Sequence, residues 1–270
     1  MVKLFRFLAL LPLGPMQALG AGLGLLVFAL SRSYRRKIAA NLALAGLPGS
    51  LRARAAAQAG RMVGELPFVW FAPAERVLAR VRCDEAEVFD DAVREGKGTL
   101  ILTPHLGAFE VAARWCASRF ALTVLFKPPK QAALASLLAA ARNQGAMRSL
   151  PTTVGGVRGL LRALRAGEAV GLLPDQVPDS GMGVWVPFFG KPAYTLTLPE
   201  RLAQSTGAAV LIVWGERLAP GQGWRLHARR LREAPTPEAV NRAMEATILR
   251  RPEQYLWGYN RYKSPAGEAA

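Results

Sequence analysis

The 270-residue chain is short of the residues that most often carry chemistry: two cysteines, two histidines, and 19 acidic residues against 35 lysines and arginines. Cys83 and Cys116 stand at no metal or redox spacing and give no disulfide framework, which fits a reducing compartment. No internal repeat, Walker loop, Gly-x-Gly-x-x-Gly fingerprint or metal-ligand cluster is present, so neither a cofactor nor a metal is expected. The deficit of acid leaves a net charge of +16, extreme for a chain that is 51% hydrophobic, and points to anionic partners. Nucleic acid, acidic lipid headgroups and an acidic carrier protein all qualify by charge. Without a nucleic-acid-binding motif beside that charge, nucleic acid is not expected.

Charge is absent altogether from Phe7 to Leu30, about 24 positions, where a bilayer core needs about 20. Pro12, Pro15 and several glycines weaken this run as a straight helix. A cleaved signal peptide is the rival reading, since Lys3 and Arg6 precede the run and small residues stand at Ala18 and Gly20. Against cleavage, the apolar run continues past that point and ends at Arg32, Arg35, Arg36 and Lys37, and basic residues beside a membrane segment mark its cytoplasmic side. The expected organisation is a membrane anchor over 1–31, a body over 32–263 on the cytoplasmic side, and a tail over 264–270.

Helices are expected over Tyr34 to Ala45 and Leu51 to Val63, broken at Gly46-Leu47-Pro48. Pro67 is expected to interrupt the aromatic patch Phe68, Trp70 and Phe71, which suits the membrane interface and a core equally well. Asp84 to Glu95 is an acidic amphipathic helix. Downstream, apolar strands (Leu122 to Phe126, Ala169 to Pro174, Ala209 to Trp214) alternate with helical segments, which predicts an α/β fold with a mostly parallel central sheet flanked by helices. Trp224 to Ala228 alternates so that His227 falls on the polar face of an edge strand. His105 is thereby left as the credible catalytic imidazole.

The chemistry concentrates in Lys97 to Trp115, KGTLILTPHLGAFEVAARW. Thr99 to Thr103 is a short apolar run with β-branched residues; Pro104 ends it, and good helix formers follow from Ala108. His105 and Glu110 are five residues apart, about 140° out of phase on an ideal helix, so they do not pair as helix neighbours. With His105 on the loop that enters the helix, Glu110 lies about a turn inside and can reach back to the imidazole. That is the base and orienter of a triad without its nucleophile. The helix start also offers N–H groups to a developing oxyanion. Past the strand ending at Pro174, Asp175 stands where ligands collect in open α/β sheets. The loop that follows carries Gly181, Gly183, Trp185, Phe188 and Phe189, and these rings either line an acyl site or cap the core.

The segment TPHLGAFE resembles the His-four-residues-Glu/Asp motif of glycerolipid and lipid A acyltransferases, and further matches follow in order: RRKIAANLALAGLP, LPDQVPDSGMGVWVPFFGKPAYTLTLPERLAQSTGA and PEQYLWGYNRYKSP. Together they resemble the late acyltransferases of lipid A biosynthesis over nearly the whole chain. The resemblance implies an acyltransferase-type core at the bacterial inner membrane. It also implies an acyl carrier protein as donor and an anionic glycolipid, a lipid A precursor, as acceptor. In that scheme His105 deprotonates the acceptor hydroxyl and Glu110 stabilises the imidazolium, while Asp175, at an acidic position of the family, positions substrate together with Arg142. Arg142 aligns with a family active-site arginine, although the wording ARNQGAMRS departs from the usual Gly-Arg pattern and keeps Arg148 in competition. A lysophospholipid or aminolipid acceptor, and a basic membrane- or nucleic-acid-binding protein without activity, are the alternatives.

Overall fold

A computed structural model describes residues 2–126, 131–142 and 145–265. Its strands in chain order are β1 (Val81–Cys83), β2 (Thr99–Leu102), β3 (Leu122–Phe126), β4 (Met147–Pro151), β5 (Ala169–Leu172), β6 (Gly183–Phe188), β7 (Lys191–Leu196), β8 (Ala209–Arg217) and β9 (Trp224–Arg230). The helices are α1 (Val2–Leu8), α2 (Leu13–Leu30), α3 (Arg32–Leu44), α4 (Leu51–Phe71), α5 (Ala74–Leu78), α6 (Ala86–Arg94), α7 (Phe109–Arg119), α8 (Ala132–Arg142), α9 (Val154–Arg165), α10 (Leu198–Thr206) and α11 (Pro237–Ile248).

Seven strands form one sheet in the order β1-β9-β8-β2-β5-β3-β4, parallel except where β9 turns back antiparallel on β8. The central strand β2 is Thr-Leu-Ile-Leu and buried at all four positions, as a parallel strand covered on both faces must be. Side chains alternate across it. Leu100 and Leu102 pack with Leu160 and Leu164 of α9 and Met244 of α11, whereas Ile101 faces Phe89 of α6 and Trp115 of α7. The expected α/β sandwich with a mostly parallel sheet is what the chain forms.

Several local expectations are corrected. Pro12 splits the uncharged run, so the apolar segment is α1 followed by α2 rather than one helix. Pro67 does not end its helix: α4 continues through it to Phe71, because Phe68, Val69 and Trp70 are buried and hold the last turn against the body. β9 is not an edge strand, since β1 pairs with its outer side. The polar side of β9 is correspondingly occupied: the His227 ring stacks on Trp214 at 4.5 Å and its Nε2 lies 2.9 Å from Glu216. Residues 183–196, expected as part of a loop, form a two-stranded hairpin. Of the tail expected over 264–270, residues 266–270 lie outside the described part.

The amino-terminal helices are fastened to this body. α2 and α4 run antiparallel and touch at backbone distance, with Gly20 and Gly24 on Gly60 and Gly64; a Cβ at Gly20 would fall 2.3 Å from the Gly60 carbonyl. Only glycine permits that approach. Nearby, the buried carboxylate of Glu65 accepts from Gln17 Nε2 (2.8 Å), from Arg217 Nε (2.9 Å) and Nη2 (2.7 Å), and from Trp224 Nε1 (3.2 Å). The same guanidinium donates to the Gly107 carbonyl at 3.1 Å, just after His105. A buried ion pair with its hydrogen bonds complete is costly to break one-sidedly. Arg217→Met should therefore lower stability by about 3–5 kcal/mol by leaving Glu65 charged and unpaired. Thermal melting in mild detergent measures this; an unchanged midpoint would mean that Gln17 and Trp224 suffice for the carboxylate.

Candidate active site

The register of the two central strands builds the site. β2 and β5 pair in parallel with Leu102 opposite Leu172, and the Thr103 N–H continues the ladder to the Leu172 carbonyl at 3.0 Å. Three residues further along each chain stand His105 and Asp175. The two are therefore level with each other just past adjacent carboxyl ends, where an open sheet leaves a crevice.

There Asp175 holds His105 by two bonds. Its Oδ2 accepts the backbone N–H of His105 at 2.8 Å, and its Oδ1 lies 2.7 Å from Nδ1 of the ring. Asp175 is 1% exposed. Burial pushes its carboxyl up, but the His105 charge, the two hydrogen bonds from His105 and the Arg261 guanidinium outweigh this and hold it below the ordinary aspartate value. An ionised carboxylate only accepts, so in the neutral imidazole Nδ1 carries the ring hydrogen and Nε2 presents a lone pair. The Gln176 amide, 3.2 Å from Nε2, donates toward that lone pair, and the Phe109 ring meets the imidazole edge-on at 5.0 Å. Behind Asp175, Tyr255 is buried, its hydroxyl pushed up first by burial and then by the aspartate charge.

The histidine loop is clamped from below. Gly107 adopts φ 58°, and a Cβ there would fall 2.1 Å from the Gly215 carbonyl, so glycine is required both for the turn and for the approach to β8. Its N–H donates to the Gln254 carbonyl at 3.0 Å, Ala108 N–H to Gly215 at 2.7 Å, and Leu256 N–H to the His105 carbonyl at 3.2 Å. The carboxyl-terminal segment thus fixes the loop on which the imidazole sits.

A cavity of about 590 Å³ opens at the same sheet edge, bordered by His105, Phe109 and Glu110. Most of its wall is apolar, with Leu125 and Phe126 from the end of β3, Leu172 and Leu173 from the end of β5, and Val157 and Leu198 from α9 and α10. An imidazole lone pair beside an apolar pocket is suited to removing a proton from a hydroxyl brought up to a chain-bearing substrate.

The sequence expectations fare differently here. The carboxylate on Nδ1 is Asp175, not Glu110. Glu110 is the second residue of α7, borders the cavity, and accepts the Trp70 indole N–H at 3.3 Å. Arg142 ends α8, and its side chain lies outside the described residues. The competing Arg148 lies on β4 and pairs with Glu168.

Phe188 and Phe189, expected to line an acyl site, do not border this cavity. Phe188 is 1% exposed and packs in the core beneath the Arg261 guanidinium, 5.2 Å from its ring centre. Phe189 and Gly190 make the two-residue turn of the β6–β7 hairpin, both with positive φ. The unusual φ of 47° at Phe189 is held by Glu245, which accepts its N–H at 2.9 Å, and by packing against Trp257. Gln176, Gln254 and Arg217 carry no sequence signal of their own. Only Glu65, an acid deep in an apolar helix, hints that a buried cation faces it.

Comparison with known proteins identifies the family. A family model described as bacterial lipid A biosynthesis acyltransferase matches residues 1–264. The chain is 29% identical over 221 residues to a lipid A biosynthesis palmitoleoyltransferase of Escherichia coli K12, covering 78% of this chain and 71% of the relative. It is 26% identical over 210 residues to the lauroyltransferase of the same organism, covering 74% and 67%. A lipid A biosynthesis acyltransferase of Haemophilus influenzae is 25% identical over 181 residues, covering 63% and 55%. With a match over almost its full length, the chain belongs to the bacterial lipid A biosynthesis acyltransferase family and is an acyltransferase.

Proposed function

We propose that the protein moves a fatty acyl group from an acyl carrier protein thioester to a hydroxyl of a lipid A precursor, with His105 as general base. The observation that carries this reading is an imidazole held through Nδ1 by a buried carboxylate, with its Nε2, met by the Gln176 amide, at the border of an apolar cavity. Nε2 removes the acceptor hydroxyl proton while the oxygen attacks the thioester carbonyl. The tetrahedral oxyanion is met by the positive end of the α7 dipole, at the start of the helix. The carbon–sulfur bond then breaks, and the leaving thiolate takes the proton from the imidazolium. No acyl-enzyme is needed.

Asp175 orients the ring and stabilises the imidazolium. Glu110, the second carboxylate at the cavity, adds negative potential to the charged ring and positions the acceptor, and Arg142 takes part in substrate binding. The acyl chain occupies the apolar wall, where each buried methylene contributes about 0.8 kcal/mol. The net charge of +16 supports an acidic carrier protein and a phosphorylated glycolipid as partners, and the cluster Arg32, Arg35, Arg36 and Lys37 beside the apolar segment supports a bacterial inner-membrane location with the body on the cytoplasmic side.

The test is mass spectrometry of lipids after membranes holding the protein receive acyl carrier protein thioesters of several lengths and a set of acceptors. One acyl unit gained by the lipid A precursor is expected. Gain on a lysophospholipid or an aminolipid instead would move the acceptor, and no gain on any would overturn the reading.

A further inference from the structure

We propose that α2 does not cross the bilayer but lies along the membrane surface, its outer face in one leaflet and both its ends on the side of the catalytic body. The proposal rests on membrane association through the amino-terminal helices and is independent of which acceptor is acylated.

Both ends of α2 are pinned to one body. At its start, Leu13 is buried in a cluster with Phe68 and Trp224, and Gln17 bonds both Glu65 and the N–H of Gly221, in the turn between β8 and β9. At its end, Phe28 packs on the core cluster that contains Leu102 and Leu172. Just beyond, Ile38 is in that core and Asn41 donates to the carbonyls of Trp257 and Tyr259. Along its length α2 lies on α4 through the glycine contacts, and the stretch of α4 beside the Leu30 end carries exposed Arg52 and Arg54. A spanning α2 would draw those arginines and the body with it. An 18-residue helix fixed at both ends to a globular unit has no free end to send across.

The unpacked face of α2 is apolar. Leu19, Leu23, Leu26, Val27 and Leu30 fall on one side at helical spacing and are each more than half exposed. Exposed basic residues stand at both ends of the apolar segment, Lys3 and Arg6 before it and Arg32, Arg36 and Lys37 after it. Basic residues are retained on the cytoplasmic side, and a spanning segment would have to place one of the two groups outside. An apolar face rimmed by cations is the chemistry of a helix lying in an anionic lipid surface.

The test places single reporter cysteines by Lys3→Cys and by Ser33→Cys, each in a Cys83→Ser background; Cys116 is buried and stays. Membrane-impermeant maleimide is applied to intact spheroplasts and to inverted inner-membrane vesicles of cells making the full chain. Both positions should be protected in spheroplasts and labelled in inverted vesicles. Labelling of Lys3→Cys in spheroplasts with Ser33→Cys protected would overturn the in-plane helix and leave membrane association standing. Labelling of both in spheroplasts would keep the in-plane helix and overturn the cytoplasmic body. Recovery of the protein in the soluble fraction without detergent would overturn the association itself.

Discussion

His105→Ala protein should fold normally and lose acyl transfer by about 10²- to 10⁴-fold or more, the usual contribution of a positioned general base. Only 18% of the imidazole side chain is exposed, yet it borders a cavity rather than filling the core, so its removal costs little packing. Transfer from a defined thioester donor, measured beside circular dichroism and thermal melting, separates catalysis from folding. Near-normal transfer by folded His105→Ala protein would end the mechanism proposed above.

Asp175→Asn should be impaired on the same scale, about 10²- to 10⁴-fold, since it keeps the shape but removes the charge that selects the tautomer and stabilises the imidazolium. An asparagine amide can turn its NH2 toward Nδ1, which moves the ring hydrogen to Nε2, the nitrogen that must be bare. Glu110→Gln removes a carboxylate that borders the cavity but is not on Nδ1, and its loss should exceed that of a surface variant while falling short of Asp175→Asn. Because base and orienter act as one unit, His105→Ala combined with Asp175→Asn should be little worse than His105→Ala alone. Steady-state transfer rates of the four proteins decide it. If Glu110→Gln is the more damaging, with a non-additive double variant with His105, then Glu110 is the orienter in the substrate-bound enzyme.

The strands around the site illustrate what one-dimensional pattern carries. β2, β3, β5 and β8 are short apolar runs bounded by glycine, proline or polar turns, and each stands within a few residues of its expected place. β4 (Met-Arg-Ser-Leu-Pro) and the β6–β7 hairpin lack that signature: β4 lies at an edge, and the hairpin turn uses Phe189-Gly190 instead of the asparagine and glycine that mark such turns. Their strand character comes from partners supplied by the rest of the fold.

The sequence by itself determined the α/β class, the candidate imidazole, the amino-terminal apolar segment and the family, because each is written in local composition, periodicity or contiguous motif. It also marked Asp175 as a residue at a strand end. Which carboxylate meets His105 was decided only by tertiary structure: Glu110 is five residues away in the chain and Asp175 seventy, yet β5 inserts beside β2 and the parallel register carries Asp175 level with the ring. The burial of Phe188, the Glu65–Arg217 pair beneath the histidine loop and the pinning of both ends of α2 are of the same kind. Each depends on contacts between segments far apart in the chain, and the order in which strands join a sheet leaves no mark on the residues within any one strand.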